Sequence, residues 1–388
     1  MKPFTKKLVL ESGQEFYGYG YGADVERVCD IVFNTSVVGY QEIISDPAYL
    51  NQIVVMAYPL IGNYGITDED FESKSKEPFV GGMVVRECNE NPSNFRYTKT
   101  FAETLDEQGI PCIAGVDTRM IVRILRDGGS QRAAIVNAST SKEEALRMIA
   151  STPRPENQVA KVSCKKRWFS RTPNHTYDIV AVDCGIKYST ISEFNARGCN
   201  VTVVPYNATL EEIMAFNPDG VYISNGPGSP EELPEVIHLV KNLKGKVPML
   251  GVSLGANIIA MAYGAKCYRL AAGHLGSSAV RDLESGRIDM TSQNHIWVVD
   301  DASIEGTRLK KTHENVLDST LEGFECKEDK LFALNFYPES APGPRDCTYL
   351  FDKFIKLMEE NHNAYENRYK EDYGNRLRSE CHRSGCRV

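Results

Sequence analysis

No uninterrupted apolar run in this chain approaches the roughly 20 residues that a membrane-spanning helix needs. None follows the opening Met1-Lys-Pro-Phe-Thr-Lys-Lys7 either. Neither a membrane span nor a secretory leader is therefore expected, which implies a cytoplasmic protein. Basic charge is in deficit: 44 Lys and Arg stand against 52 Asp and Glu, a net charge of −8. Nucleic acid is thereby disfavoured as a partner, because phosphate binding wants a basic face. The 11 cysteines include no C-x-x-C pair. Free thiols in a reducing compartment are expected, with no metal centre, and Cys381 and Cys386 are too isolated to suggest one.

What is present is organised around Val247-Pro-Met-Leu-Gly-Val-Ser-Leu-Gly-Ala-Asn257. Pro248 to Leu250 read as the end of a buried strand, and Ala256 to Tyr263 as the start of an apolar helix. Between them, Gly251-Val-Ser-Leu-Gly255 has the G-x-S-x-G spacing of a nucleophile elbow. The central residue of such an elbow sits on a strained strand-to-helix turn, and the flanking glycines leave room for it. Its side chain lies beside a helix N-terminus, where backbone N–H groups can hold an anion. No cysteine falls at this position.

A chain of 388 residues with 42% hydrophobic content suggests two globular domains, each with its own core. Residues 1–150 read as a β-rich α/β unit. Strands are expected around Leu8-Val-Leu10, Phe16–Tyr21, Val28–Asn34, Gln52–Met56, Gly81–Val85, Ile113–Val116 and Ala133–Val136. Helices are expected over Phe101–Gln108, after the N-cap Asp117, and over Lys142–Ala150. The polar block from Phe33 to Pro47 reads as loop between strands, either a plain surface or a binding or inter-subunit surface. Residues 151–176 are Pro-punctuated and read as a linker. From Tyr177 to about residue 360, strand and helix alternate, which predicts a doubly wound, largely parallel sheet with its site outside the carboxyl ends of the strands. Residues 361–388 read as a polar tail.

Four pieces are expected at strand ends of the second unit: Asn225-Gly-Pro-Gly228, the elbow, Ser292-Gln-Asn-His295 and Tyr337-Pro-Glu339. The Gly-Pro-Gly loop offers close backbone approach and free N–H groups, as an oxyanion hole or carboxylate cradle needs. Together and in this order the four resemble the class I (triad) glutamine amidotransferases, and more narrowly the small subunit of carbamoyl-phosphate synthetase. The narrower resemblance covers almost the whole chain. It includes the block Phe33–Gly65, Asp117-Thr-Arg119, Asp183-Cys-Gly-Ile-Lys187, Gly264-Ala-Lys266 and Pro338-Glu-Ser-Ala-Pro-Gly-Pro344. It implies an N-terminal domain that packs on a large ATP-using subunit, and a C-terminal domain that hydrolyses glutamine and passes ammonia to that subunit. ATP and magnesium are then expected on the large subunit, and no P-loop occurs here.

The resemblance places the catalytic triad at Ser253, Tyr337 and Glu339, but only Glu339 is the family's residue; the family has Cys and His at the other two. Its glutamine-site positions are Ala48, Gly226, Gly228, Leu254, Asn257, Asn294, Ile296 and Trp297. Of these Ala48, Asn257, Ile296 and Trp297 depart, standing where the family has Ser, Gln, Gly and Phe. Ala256 likewise replaces a His. A serine hydroxyl needs a base throughout attack, whereas a thiol beside a His is readily a thiolate. Tyrosine, with a pKa of about 10, is a poor base near neutral pH. Removing such a base costs on the order of 10⁴–10⁶ in turnover. Loss of glutaminase activity is expected, and glutamine binding is placed in doubt. What is left is a scaffold subunit of an ammonia-using synthetase, in either the arginine or the pyrimidine pathway, or a paralogue binding another ligand. The competing reading is a serine hydrolase that recruited His274, His295 or His313 as base, with His295 at a strand end beside the pocket.

Overall fold

The computed structural model describes residues 3–363, so residues 364–388 of the expected tail, with Cys381 and Cys386, lie outside the described residues. Seven strands close into a barrel in the order Lys6–Leu10, Glu15–Gly22, Pro111–Ala114, Gly82–Val85, Gln52–Met56, Arg27–Asn34 and Gln131–Asn137. Ile53, Val54, Val55 and Met56 are all buried because their strand lies between parallel neighbours and is covered on both sides. Helices sit where the sequence predicts them, and their caps are formed. Thr100 and Glu103 form a reciprocal capping box at the start of Phe101–Glu107, and the Asp117 carboxylate accepts from the Met120 N–H at the head of Thr118–Gly128.

The block 33–47 is a correction. Instead of a loop it holds a helix, Tyr40–Ser45, whose Tyr40, Gln41, Ile43, Ile44 and Ser45 are buried, followed by a 3₁₀ turn, Pro47–Tyr49. Its polar residues are satisfied at long range. Gln41 Nε2 donates to Thr67 O at 2.6 Å while its Oε1 accepts from Thr67 N at 2.9 Å.

The second sheet has ten strands. Cys199–Pro205, Tyr177–Asp183, Gly220–Ile223, Met249–Val252 and Leu331–Leu334 run parallel as neighbours in that order. Alternate residues of these strands feed two separate cores. Val180, Val182, Val221 and Ile223 pack with helices Pro234–Leu243 and Leu254–Ala262. Ile179, Ala181, Tyr222 and Leu250 pack with helix Tyr188–Ala196 and a helix over 349–363. That is the doubly wound pattern. Beyond Leu331–Leu334 the sheet continues as an antiparallel wing of Leu321–Cys326, Ile288–Val299, Cys267–Asp282 and Lys310–Asn315. Ser292–His295 therefore lies inside a long strand and not at a strand end. The expected linker also carries structure: a helix, Gln158–Val162, and a strand, Trp168–Ser170, which pairs antiparallel with Cys199–Pro205 at the sheet edge. Among the described residues no helix is long and apolar enough to cross a membrane.

Candidate active site

The strand Met249–Val252 turns into the helix Leu254–Ala262 through Ser253, whose φ of 53° and ψ of −112° lie outside the comfortable regions for an L-residue. Both flanking glycines are obligatory. A Cβ on Gly251 would stand 2.5 Å from Ile259 Cδ1 and 2.9 Å from Gly255 O, and one on Gly255 would stand 2.1 Å from Ile223 O. The turn is fixed by Ser253 N donating to Leu334 O at 2.7 Å. The Ser253 hydroxyl makes no hydrogen bond among the described residues. Backbone strain of this kind costs about 1–3 kcal/mol. Ser253→Gly is accordingly expected to raise stability by about 1 kcal/mol, read as a higher urea midpoint at unchanged slope.

Nine of the positions singled out by sequence converge on one cavity of about 50 Å³. Ala48 enters from the barrel side, where the Asp46 carboxylate accepts from its N–H at 2.9 Å. Gly226 and Gly228 come from the loop after Gly220–Ile223. A Cβ on Gly226 would meet Cys184 O at 2.0 Å, so only glycine fits against that neighbouring backbone. Ser253, Leu254 and Asn257 come from the elbow, and Asn294, Ile296 and Trp297 from the antiparallel wing. Asn257 Nδ2 lies 3.2 Å from Ser253 O and from Asn335 Oδ1, and 3.4 Å from Trp297 O. It ties the elbow helix to two strands.

Tyr337 and Glu339 are not in the cavity wall. Tyr337 is buried and bridges to Ser292, its N–H donating to Ser292 O at 2.8 Å. Its hydroxyl donates to Asp46 Oδ2 at 3.2 Å, the oxygen that also accepts from Asn294 Nδ2 at 3.3 Å. Burial, and then the negative charge of Asp46, push the Tyr337 phenol well above its ordinary pKa. Glu339 Oε1 lies 3.2 Å from Lys187 Nζ, and both side chains are essentially fully buried. Lys187 Nζ also donates to Ala341 O and sits 4.5 Å from the Tyr337 ring centre. Burial pulls the Lys187 pKa down, but Glu72, Glu339 and Asp46 outweigh it and hold the ammonium charged. Asp46, Lys187 and Glu72 were not singled out as site residues. A lone Lys at the end of a buried strand-turn, and an Asp in an otherwise apolar frame, were the available signals.

Glu42, on the same side, is raised to about 7 by burial, with Asp70 and Glu72 adding to the effect and Lys187 opposing it. From its ordinary 4.5 up to about 7, the folded carboxyl keeps a proton that the unfolded one has lost. Stability therefore falls as pH rises through that window, by at most about 1.4 kcal/mol per unit. Glu42→Gln is expected to gain on the native protein between pH 4.5 and 8, seen as a growing difference in urea midpoints.

None of the candidate histidines is hydrogen-bonded to Ser253, although His295 lines the same cavity. His295 Nδ1 faces Asn335 Nδ2 at 2.9 Å and Trp297 O at 3.2 Å, while its Nε2 faces Glu322 Oε2 at 3.5 Å. His274 bonds Glu322 and Asp318. His313, in the strand Lys310–Asn315 between Cys267–Asp282 and Leu321–Cys326, bonds Thr312 Oγ1 and packs edge-on to Phe336; burial lowers its pKa.

A parallel sheet carrying this elbow, with a Gly-Pro-Gly loop beside it, defines the class of glutamine amidotransferase domains: residues 180–357 match the family model "Glutamine amidotransferase class-I". Residues 8–135, the barrel, match "Carbamoyl-phosphate synthase small chain, CPSase domain". The chain is 45% identical over 356 residues to the carbamoyl phosphate synthase small chain of Listeria innocua, covering 91% of this chain and 97% of the relative. It is 44% identical to that of Fusobacterium nucleatum, covering 92% and 99%. It is 42% identical to the pyrimidine-specific small chain of Bacillus subtilis, covering 91% and 96%. The chain belongs to the carbamoyl-phosphate synthase small chain family.

Proposed function

We propose that this chain is a scaffold or regulatory subunit of an ammonia-using carbamoyl-phosphate synthetase, its own glutaminase activity lost or severely reduced. The observation that carries this reading is a Ser253 hydroxyl with no base bonded to it, while the Tyr337 hydroxyl is committed to Asp46. A phenol held above its ordinary pKa takes no proton from serine at neutral pH. Glu339, paired with Lys187, acts as a structural carboxylate. Ile296 stands in the wall of the cavity that Ser253 lines, where the family has glycine, and narrows the space for glutamine. The barrel that matches the family supports retention of the contact with a large subunit, which would carry ATP and magnesium. A serine hydrolase is disfavoured by the orientation of His295, whose two ring nitrogens point to Asn335 and Glu322.

The test is reconstitution with the cognate large subunit. Carbamoyl phosphate is expected from ammonium but not from glutamine, and no ammonia is released from glutamine by the chain alone. Ammonia release that saturates with glutamine would overturn the reading, as would failure of the two subunits to co-purify.

A further inference from the structure

His274 and His295 stand directly opposite each other across the antiparallel pair Cys267–Asp282 and Ile288–Val299, immediately after a register shift between Arg269 and His274. Leu321–Cys326, on the far side of Ile288–Val299, brings Glu322 to the same spot. One donor atom from each of the three lies within 4.8 Å of the others. His274 Nδ1 is 2.9 Å from Glu322 Oε1, and His295 Nε2 is 3.5 Å from Glu322 Oε2. A tetrahedral zinc with bonds of about 2.0–2.2 Å has ligand–ligand edges near 3.3 Å, and each histidine nitrogen lies at about that distance from one of the two Glu322 oxygens.

Two further observations point to a cation. His295 Nε2 and Glu322 Oε2, on side chains only 2% and 0% exposed, have no hydrogen-bond partner beyond the long 3.5 Å contact they make with each other. Each imidazole also spends its other nitrogen as a metal-ligating histidine does. His274 Nε2 bonds the Asp318 carboxylate at 2.8 Å, and His295 Nδ1 is fixed by Asn335 and the Trp297 carbonyl. Nδ1 of His274 and Nε2 of His295 then both turn toward the Glu322 carboxylate, where a metal ion would replace the direct contacts they make with it.

We propose that His274, His295 and Glu322 form a binding site for a divalent transition metal ion of the zinc type, clamping three strands of the antiparallel wing. Two neutral imidazoles and one carboxylate suit such an ion, and Asp318 behind His274 completes charge neutrality. The site adjoins the cavity, since the strand holding His295 also supplies Asn294 and Ile296 to its wall. No ligand spacing in the sequence signals it, because the three donors come from different strands.

The 388-residue chain, stripped with chelator, is titrated with Zn²⁺ and with Co²⁺. One tight equivalent is expected, with the visible d–d absorption of a low-symmetry Co²⁺ site and without the near-ultraviolet bands of thiolate ligation. His274→Gln and Glu322→Gln should each remove that equivalent, and half-exposed Asp318→Asn should weaken it about 10–100-fold while leaving the fold intact. Zn²⁺ should raise the melting temperature of the native chain but not of Glu322→Gln. Binding that survives in Glu322→Gln, or a Co²⁺ spectrum of thiolate type, would overturn the proposal. So would the absence of any tight equivalent in the native chain.

Discussion

Lys187→Met is expected to lower the unfolding free energy by about 3–5 kcal/mol at pH 8, the usual penalty for leaving buried charges without their partner. The lysine is 0% exposed and serves three buried carboxylates, those of Glu72, Glu339 and Asp46. Without it, burial would drive those groups to take up protons, so the penalty should shrink as pH falls toward 5. Adding Glu339→Gln to Lys187→Met should recover part of the loss, because one uncompensated charge is removed along with its partner. Urea unfolding at two pH values measures all of this. A loss below about 1 kcal/mol at pH 8, with no pH dependence, would show that charge does not hold this cluster together.

The second large effect is a gain. Ser253→Cys with Tyr337→His restores a thiol on the elbow and an imidazole just beyond the neighbouring strand Leu331–Leu334. Ammonia release from glutamine is expected to rise by about 10³ or more over the native chain. Ile296 still stands in the cavity wall, so adding Ile296→Gly should lower KM further while changing kcat little. Native protein that already turns over at the rate of the double variant would contradict the proposed loss. A triple variant no more active than the native chain would place the defect elsewhere than in these residues.

The parallel half of the sheet, the elbow and the helix caps were legible because each rests on a local rule. Apolar runs alternate with amphipathic helices, two glycines flank a strained residue, and Asp117 stands one residue before a helix. The antiparallel wing was not legible to its full length. Ile288–Val299 carries Ser292-Gln-Asn-His295, a polar string expected at a strand end, yet the strand is continuous through it and these residues are buried. Thr291 Oγ1 donates to Ser278 O across the ladder, and Asn294 donates to Asp46 from the other unit, so the partners are remote in sequence. The helix Tyr40–Ser45 was hidden for the same reason: its Gln41 is satisfied by Thr67, 26 residues on. Among the site positions, those recognised by backbone geometry or by motif converge on one cavity, except Tyr337 and Glu339, which pack behind it. The charged residues behind them, Lys187 and Asp46, escaped notice because burial and pairing are properties of the folded chain.

The wall of that cavity is shared, with Val32, Ala48 and Gln52 contributed by the barrel and the rest by the sheet. The seam between the two is close: a Cβ on Gly276 would strike Thr35 Oγ1 at 2.3 Å. Neither half owns the pocket. A protein seated on the barrel would thus have a direct mechanical grip on one side of it, and a slide of an ångström along the seam would change its shape with no relay through the intervening strands. Severing the halves would leave two fragments, each with an open gutter where the enclosed space had been.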